Sequence, residues 1–158
     1  MKICSVASMP SAREKALKAF QRLRRYQCSD GNGIVRCISC GVSIEAKRCD
    51  GGHYEGRSNR ATELENDNVW GQCKRCNGPL GGNTIAYRNR LIARIGLDRV
   101  ERVEHMALAY RGDESALQLL SEVDAHRVKT KRTNKEYEQL AKAYTVLANQ
   151  LAKEKCID

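Results

Sequence analysis

The chain has 158 residues and a net charge of +9, and it contains no apolar run near the roughly 20 residues that a membrane span needs. Its first residues also lack the apolar segment of a secretory signal, which argues against a secreted disulfide framework despite eight cysteines. We therefore expect a cytoplasmic protein with reduced thiols. Its excess of cations points to a polyanion, most simply nucleic acid, as partner, although basic surfaces also occur in proteins without such a partner.

The first predicted element is a helix over about residues 12–27. Ser11 suits the N-cap position, and apolar residues then recur at helical spacing. The other face carries six cations against the single acid Glu14: Arg13, Lys15, Lys18, Arg22, Arg24 and Arg25. Charge this one-sided favours a helix that contacts phosphates, and we name Arg22 and Arg25 as candidate DNA-binding residues.

Two Cys-x-x-Cys pairs frame the centre of the chain. They are Cys37 with Cys40 and Cys73 with Cys76, a pattern typical of a closed four-cysteine zinc site with a structural role. Only 5% of the residues are aromatic, so the core is small and a bound Zn²⁺ would help to stabilise it. The remaining cysteines fit no ligand spacing, and we interpret them as ordinary thiols: Cys4, Cys28, Cys49 and Cys156.

Between the two cysteine pairs the sequence predicts a short β-hairpin and then a loop. The hairpin is expected within residues 44–54, with Gly51 and Gly52 at its tight point, because paired glycines suit sharp reversals. The polar stretch 55–66 is expected to be an irregular surface loop. Its candidate phosphate contacts, which are equally well explained as solvated arginines, are Arg57 and Arg60.

Helices are predicted for the rest of the chain. One begins at residue 83 or 84 and ends at Gly96; another begins at Asp98, and a third covers residues 116–123. The first of them carries Arg88, a further candidate DNA contact, and its expected buried residues are Ile85, Leu91, Ile92 and Ile95. The last helix, over about residues 134–155, has an apolar stripe that either forms a dimer surface or packs on its own domain: Tyr137, Leu140, Tyr144, Leu147 and Leu151.

The order His53, Asn68, Asn77, interleaved with the cysteine pairs, resembles that of the HNH or ββα-metal nucleases. The resemblance implies a mostly helical α+β fold, in which a zinc-stabilised ββα-metal core is flanked by N- and C-terminal helices. It also implies that His53 is the general base for a water, that Asn68 braces the loop carrying this histidine, and that Asn77 ligates one catalytic Mg²⁺ or Mn²⁺. Neutral imidazole is a suitable base near pH 7, and a largely hydrated hard cation needs few protein ligands. The alternative for His53 is an ordinary surface or core histidine.

One position departs from the pattern of many HNH nucleases. They have Asp directly before the base histidine, where this chain has Gly52. Asp50, three residues before His53, instead resembles the Asp-Arg-Gly-His element of the non-specific ββα-metal nucleases, in which Asn is the only protein ligand of the cation. We therefore assign Asn77 as the principal ligand and Asp50 as an auxiliary group.

A closer resemblance covers roughly residues 16–104. The motifs CISCG, DGGHY, QCKRCN and GGN, with the helix from Tyr87 to Gly96, are similar to those of the NinG or Rap family of lambdoid phage recombination nucleases. This resemblance implies a divalent-metal-dependent endonuclease that cleaves branched recombination intermediates such as Holliday junctions and D-loops. The expected divisions are a basic N-terminal helix (1–28), the zinc-containing nuclease core (29–96) and a C-terminal helical region (97–158).

Branched DNA presents equivalent strands to be cut, so we also expect a homodimer with two active sites. Two other functions stay open. One is an HNH nickase or endonuclease without preference for branched DNA, and the other is a zinc-ribbon DNA-binding protein without catalysis. RNA is also open as a substrate, because phosphate contacts do not distinguish the sugar.

Overall fold

The computed structural model describes residues 9–157, so Cys4 lies outside the described part of the chain. These residues form seven helices and two small antiparallel sheets, as expected for a mostly helical α+β protein. The helices are α1 (Ala12–Cys28), α2 (Lys74–Asn77), α3 (Thr84–Ile95), α4 (Leu97–Tyr110), α5 (Glu114–Gln118), α6 (Glu122–Lys129) and α7 (Asn134–Glu154). The strands are β1 (Ile34–Arg36), β2 (Ser43–Glu45), β3 (Asp50–His53) and β4 (Val69–Gln72).

The two long helices α1 and α7 begin at capping boxes and pack against each other. At the start of α1, the Ser11 side chain accepts from the backbone of Glu14, whose side chain accepts from Ser11 in return, which confirms the predicted N-cap. Thr133 and Glu136 form the same arrangement at the start of α7. The core between the two helices includes Phe20. This packing holds the first and the last helix together although they are far apart in sequence.

The apolar stripe of α7 packs on its own domain, so it does not supply the dimer surface that we considered. Tyr137 is buried, and the ring of Tyr144 lies 5.0 Å from that of Phe20 in α1. Leu140 and Leu151 also contact the core, whereas Leu147 is 46% exposed. The homodimer stays a prediction, and it would have to use another surface.

The prediction of one hairpin within residues 44–54 is wrong. Strand β2 pairs with β1, and β3 pairs with β4, in the register that places Asp50 opposite Gln72. Gly51 and Gly52 lie inside β3, at positions where the neighbouring residues leave no room for a side chain. A Cβ on Gly51 would lie 2.8 Å from the Cβ of Gln21 in α1, and one on Gly52 would lie 2.1 Å from Oε1 of Gln72.

The stretch 55–66 is irregular, as predicted, but it is only partly a surface loop. Arg57 and Arg60 are exposed, whereas residues 61–64 and the side chain of Asn59 are buried. Asn59 donates to the carbonyl of Ala107 in α4 over 3.1 Å. Buried polar groups need such partners, and so this stretch lies against the core in spite of its polar composition.

The helices after the second cysteine pair differ from their predicted form in two places. On α3, Ile85 is 80% exposed, and Tyr87 takes the buried position with Leu91, because these two are four residues apart and so share one face. The predicted helix over residues 116–123 is divided between α5 and α6, because the Ser121 side chain caps α6. Gly96 ends α3 as predicted.

None of the helices within residues 9–157 combines the length and the apolar character needed to cross a membrane.

Candidate active site and zinc centre

The four cysteines of the two pairs come together at one point. The four Sγ atoms lie within 4.8 Å of one another, and those of Cys40 and Cys73 are 3.8 Å apart. Tetrahedral Zn²⁺ with Zn–S bonds of about 2.3 Å places its sulfur ligands about 3.8 Å from one another. The cluster therefore has the dimensions and the donor atoms that a structural zinc ion requires.

Backbone amides also point at these sulfur atoms. The N–H of Cys73 donates to Sγ of Cys37 over 3.3 Å, and that of Cys76 donates to Sγ of Cys73 over 3.4 Å. Burial alone raises the pKa of Cys37, but the amide hydrogen bonds outweigh it and lower the pKa to about 7. Gly41 closes the first turn with φ of 78°, a conformation that glycine adopts without strain. At Cys37 the surroundings thus favour the thiolate form that binds metal, whereas burial raises the pKa of Cys73.

Gln72 connects the cysteine cluster to the start of α3. Its side chain is fully buried, and Nε2 donates to Ser39 Oγ over 2.7 Å and to the Gly82 carbonyl over 2.6 Å. Ser39 lies inside the first cysteine pair, and Gly82 precedes α3. The cysteine cluster therefore holds in place the turn at Gly82, which borders the cleft lined by His53.

His53 ends β3, and its ring is held in one orientation. Nε2 lies 2.9 Å from the carbonyl oxygen of Glu63. Because a carbonyl oxygen only accepts, Nε2 carries the hydrogen and Nδ1 carries the lone pair. Burial lowers the pKa of His53 below its usual value, although the hydrogen bond to Glu63 opposes this effect. The ring is therefore neutral near pH 7, with Nδ1 able to accept a proton.

Asn68 lies where a brace for the His53 loop is expected. Its side chain is fully buried and bonds to both backbone groups of Glu55, accepting over 2.7 Å and donating over 2.9 Å. It also donates to the carbonyl of Thr62 over 2.9 Å. Thr62 directly precedes the residue whose carbonyl holds His53, so Asn68 supports that contact through the backbone.

Asp50 and Asn77 contact each other. Nδ2 of Asn77, at the end of α2, donates to Oδ2 of Asp50 over 3.1 Å. Lys74 donates to the other carboxylate oxygen over 2.8 Å. With its nitrogen used in this way, Asn77 keeps Oδ1 for another partner, and an amide oxygen is a suitable ligand for a hard divalent cation.

His53 and Asn77 line the same open cleft, whose volume is about 420 Å³. Asp50 contacts Asn77 without lining the cleft. The other lining residues are mostly glycines, which let a ligand approach the backbone closely: Gln21, Gly51, Gly56, Arg57, Gly81 and Gly82. The structure therefore brings the predicted base and the predicted cation ligand to one solvent-accessible site.

Part of the predicted basic face of α1 is engaged in contacts within the protein. Arg24, which we counted on this face, is buried, donates to the carbonyl of Val69 over 2.8 Å and stacks on Trp70. Arg25 donates to the carbonyl of Cys49 over 2.8 Å. Arg24 therefore has a structural role, and Arg25 is partly engaged in one.

Two more of the predicted DNA contacts are held by other side chains. Arg22 donates to Oδ1 of Asn149 over 2.8 Å. Arg88 donates to both carboxylate oxygens of Glu104, over 2.6 and 3.0 Å, so that its charge is already compensated. Among the five predicted arginines, Arg57 is the one that lines the cleft beside His53.

Sequence reasoning missed a second groove, which runs along α1 and joins this cleft. The two share Gln21 and Arg57, and the groove also contains Lys15 and Lys18. Both lysines are exposed, and neither forms an ion pair within residues 9–157. The signal was present, since residues 15, 18 and 21 are spaced by three and so lie on one side of a helix.

Comparison with known proteins identifies the family. A model of the family described as Bacteriophage Lambda NinG protein matches residues 9–138, which include the cysteine cluster, the cleft and the groove. The chain belongs to the NinG family.

Curated NinG proteins from several phages match a shorter part of the chain. The chain is 40% identical over 93 residues to protein ninG of Escherichia phage 933W and to that of Salmonella phage P22, and 38% identical over 92 residues to that of Escherichia phage lambda. These matches cover 58% of this chain and 41–42% of the relatives, so the chain spans about two fifths of the length of the NinG proteins it matches. No solved structure gives a significant match.

Proposed function

We propose that this NinG-family chain is a metal-dependent DNA endonuclease with a ββα-metal, or HNH, core, and that it cleaves branched recombination intermediates. The observation that carries the proposal is that two residues with a free acceptor atom, His53 and Asn77, line the same cleft. Nδ1 of His53 is available because Nε2 is bound to Glu63, and Oδ1 of Asn77 is available because Nδ2 is bound to Asp50.

Each residue has a defined part in hydrolysis of a phosphodiester. His53 accepts a proton from the attacking water at Nδ1, and its buried, neutral ring suits that role near pH 7. Asn77 would hold one Mg²⁺ or Mn²⁺ through Oδ1, with Asp50 fixing the orientation of the amide. Such a cation supplies charge neutralisation on the phosphate and stabilises the leaving 3′ oxygen. Asn68 keeps the loop of His53 in place.

The groove along α1 is the proposed path of the DNA backbone. Lys15 and Lys18 on one side and Arg57 at the junction with the cleft would contact consecutive phosphates. The net charge of +9 supports binding of a polyanion as a whole. The choice of branched DNA as substrate rests on the resemblance of the motifs to the NinG or Rap nucleases.

Cleavage of a four-way junction and of a linear duplex with the same arm sequences tests the substrate. We expect the junction to be cut faster than the duplex in Mg²⁺ or Mn²⁺, with no cutting after chelation of the divalent cation. Equal cutting of both substrates would show a nickase or endonuclease without preference for branches. Binding without cleavage by the wild type would leave a zinc-containing DNA-binding protein, and the proposal would be wrong.

Two sets of variants test the assigned parts. His53→Ala should abolish cleavage and leave junction binding intact, whereas His126→Ala, which changes an exposed histidine of α6, should cut like the wild type. Lys15→Ala with Lys18→Ala should weaken binding and reduce the slope of log affinity against log salt by about 1–2, because each phosphate contact contributes about 0.9. Lys142→Ala, on the exposed side of α7, is the matched control for charge.

A further inference from the structure

Glu63 is a buried carboxylate in an otherwise irregular loop. Its side chain is fully inaccessible to solvent. A buried charge is costly unless charged or polar groups compensate it, and Glu63 has two such partners. Its Oε2 accepts from Nε of Arg13 over 2.8 Å, and its Oε1 accepts from the hydroxyl of Tyr137 over 2.6 Å.

These partners come from the first and the last helix of the described chain. Arg13 is in the first turn of α1, and Tyr137 is in the first turn of α7. Arg13 also donates through Nη2 to the carbonyl of Arg57, in the same loop as Glu63. Both terminal helices therefore hold the loop through its only fully buried acid, and the contacts lie outside the central stretch that carries the HNH-like motifs.

The backbone of Glu63 connects this arrangement to the proposed base. Its carbonyl oxygen lies 2.9 Å from Nε2 of His53, and the carbonyl of the preceding Thr62 is held by Asn68. Asn68 thus fixes the peptide on one side of Glu63, and the side-chain contacts of Glu63 fix the residue itself. The orientation of the carbonyl depends on both.

We propose that Glu63 is a positioning residue for His53, and that Arg13 and Tyr137 make the terminal helices part of the active site. Because Arg13 of α1 and Tyr137 of α7 hold its side chain, Glu63 keeps its carbonyl oxygen directed at Nε2 of His53. This contact keeps the hydrogen on Nε2 and the lone pair on Nδ1. When the carboxylate loses a partner, the carbonyl is less well fixed, and the ring can rotate or carry its hydrogen on Nδ1. The activity part of this inference rests on the proposed nuclease function, whereas the tautomer of His53 does not.

Tyr137→Phe is the most sensitive test, because it removes one hydroxyl and keeps the ring in the core. Tyr144→Phe is the matched control: it removes a hydroxyl two helical turns later on α7, where no hydrogen bond to another described residue is present. Glu63→Gln provides a second variant of nearly the same shape, with weaker contacts to Arg13. Zinc content and thermal melting of each variant establish that it is folded.

The first readout is the tautomer of His53, measured by long-range ¹H–¹⁵N NMR at a pH where the ring is neutral. We expect the wild type and Tyr144→Phe to show hydrogen on Nε2 alone, and Tyr137→Phe and Glu63→Gln to show exchange between the two tautomers. Identical His53 spectra for folded Tyr137→Phe, Glu63→Gln and Tyr144→Phe would overturn the inference. This readout requires no cleavage, so it decides the inference even where the wild type proves inactive and the proposed function fails.

The second readout is cleavage under single-turnover and steady-state conditions. We expect Tyr137→Phe to lower kcat by about 10-fold and to leave KM within about 2-fold, because outer residues that orient a reacting group typically contribute 10- to 100-fold and do not touch the DNA. A loss of the same size in Tyr144→Phe, or a change in KM alone, would contradict the assignment.

Discussion

The side-chain nitrogen of Asn77 donates a 3.1 Å hydrogen bond to Asp50, and this contact decides which atom of Asn77 is left for a cation. With Nδ2 engaged, Oδ1 is the free acceptor. The same contact places a carboxylate one step behind the proposed ligand, where it raises the electron density on the amide oxygen and restricts its rotation. Asp50 therefore lies in an auxiliary position behind Asn77, in a chain that has Gly52 where many HNH nucleases have an acid directly before the base histidine.

Asp50→Ala should weaken binding of the divalent cation without removing the ligand itself. We expect the Mg²⁺ or Mn²⁺ concentration for half-maximal cleavage to rise by about 10-fold or more, since outer-shell partners of metal ligands typically contribute 10- to 100-fold. Metal titrations of cleavage rate measure this directly. Glu138→Ala, which removes an exposed acid from α7, is the control, and equal titration curves for the two variants would contradict the role of Asp50.

The pH dependence of cleavage should follow the lowered pKa of His53. Burial keeps the ring neutral below the usual histidine pKa of about 6.5, so the base form persists to lower pH than in an exposed histidine. We expect single-turnover rates to be level from about pH 8 to 7 and to reach half of their maximum below the usual histidine pKa of about 6.5. A rate that already falls between pH 8 and 7 would contradict this assignment of the base.

Loss of one zinc ligand should release the ion and destabilise the fold. Cys40→Ser is the best variant, because Cys40 is exposed and its replacement leaves no cavity in the core. We expect one zinc per chain in the wild type and none in Cys40→Ser, with Tm lower by about 10 °C for a loss of about 4 kcal/mol. Metal analysis and thermal melting measure both effects.

Cys156→Ser is the matched control for that experiment, since it changes an exposed cysteine outside the cluster. It should retain zinc and melt like the wild type. Zinc retained in Cys40→Ser, or lost in Cys156→Ser, would show that the cluster is not the binding site.

Gly52→Ala should destabilise the protein although it adds only a methyl group. The new Cβ would meet Oε1 of Gln72 at 2.1 Å, and Gln72 cannot move freely because it bonds to Ser39 and Gly82. Overpacking of this kind costs about 1–3 kcal/mol in the free energy of unfolding, measured by denaturant titration. Gly31→Ala has open space around it and should stay within about 0.5 kcal/mol of the wild type; equal effects at both positions would exclude the steric explanation.

The local signals in the sequence identified most helices and the four cysteines that cluster. The caps at Ser11 and Gly96 and the long apolar stripe of α7 depend on residues a few positions apart, so they can be recognised without knowledge of the fold. The cysteine pairs are similar, because the ligand spacing of a zinc turn is itself local. The order of His53, Asn68 and Asn77 indicated which side chains to examine.

Contacts between distant segments were decided only by the tertiary structure. Gly51 and Gly52 looked like a turn, but they pair with β4 inside a strand, where Gln21 and Gln72 come too close for a side chain. No local sequence pattern reports such crowding. The burial of Glu63 likewise depends on helices remote in sequence, and the engagement of Arg88 by Glu104 depends on the packing of α3 against α4.

By itself, then, the sequence determined most helices, the two cysteine pairs and the candidate residues, since each rests on spacing within one segment. Only the tertiary structure decided which strands pair, which cations are engaged by other residues, and which atoms of His53 and Asn77 remain available. The physical reason is that the atom of a side chain that stays free as an acceptor depends on the partner that the other polar atom of that side chain binds. For His53 and Asn77 those partners are Glu63 and Asp50, which packing brings close from elsewhere in the chain.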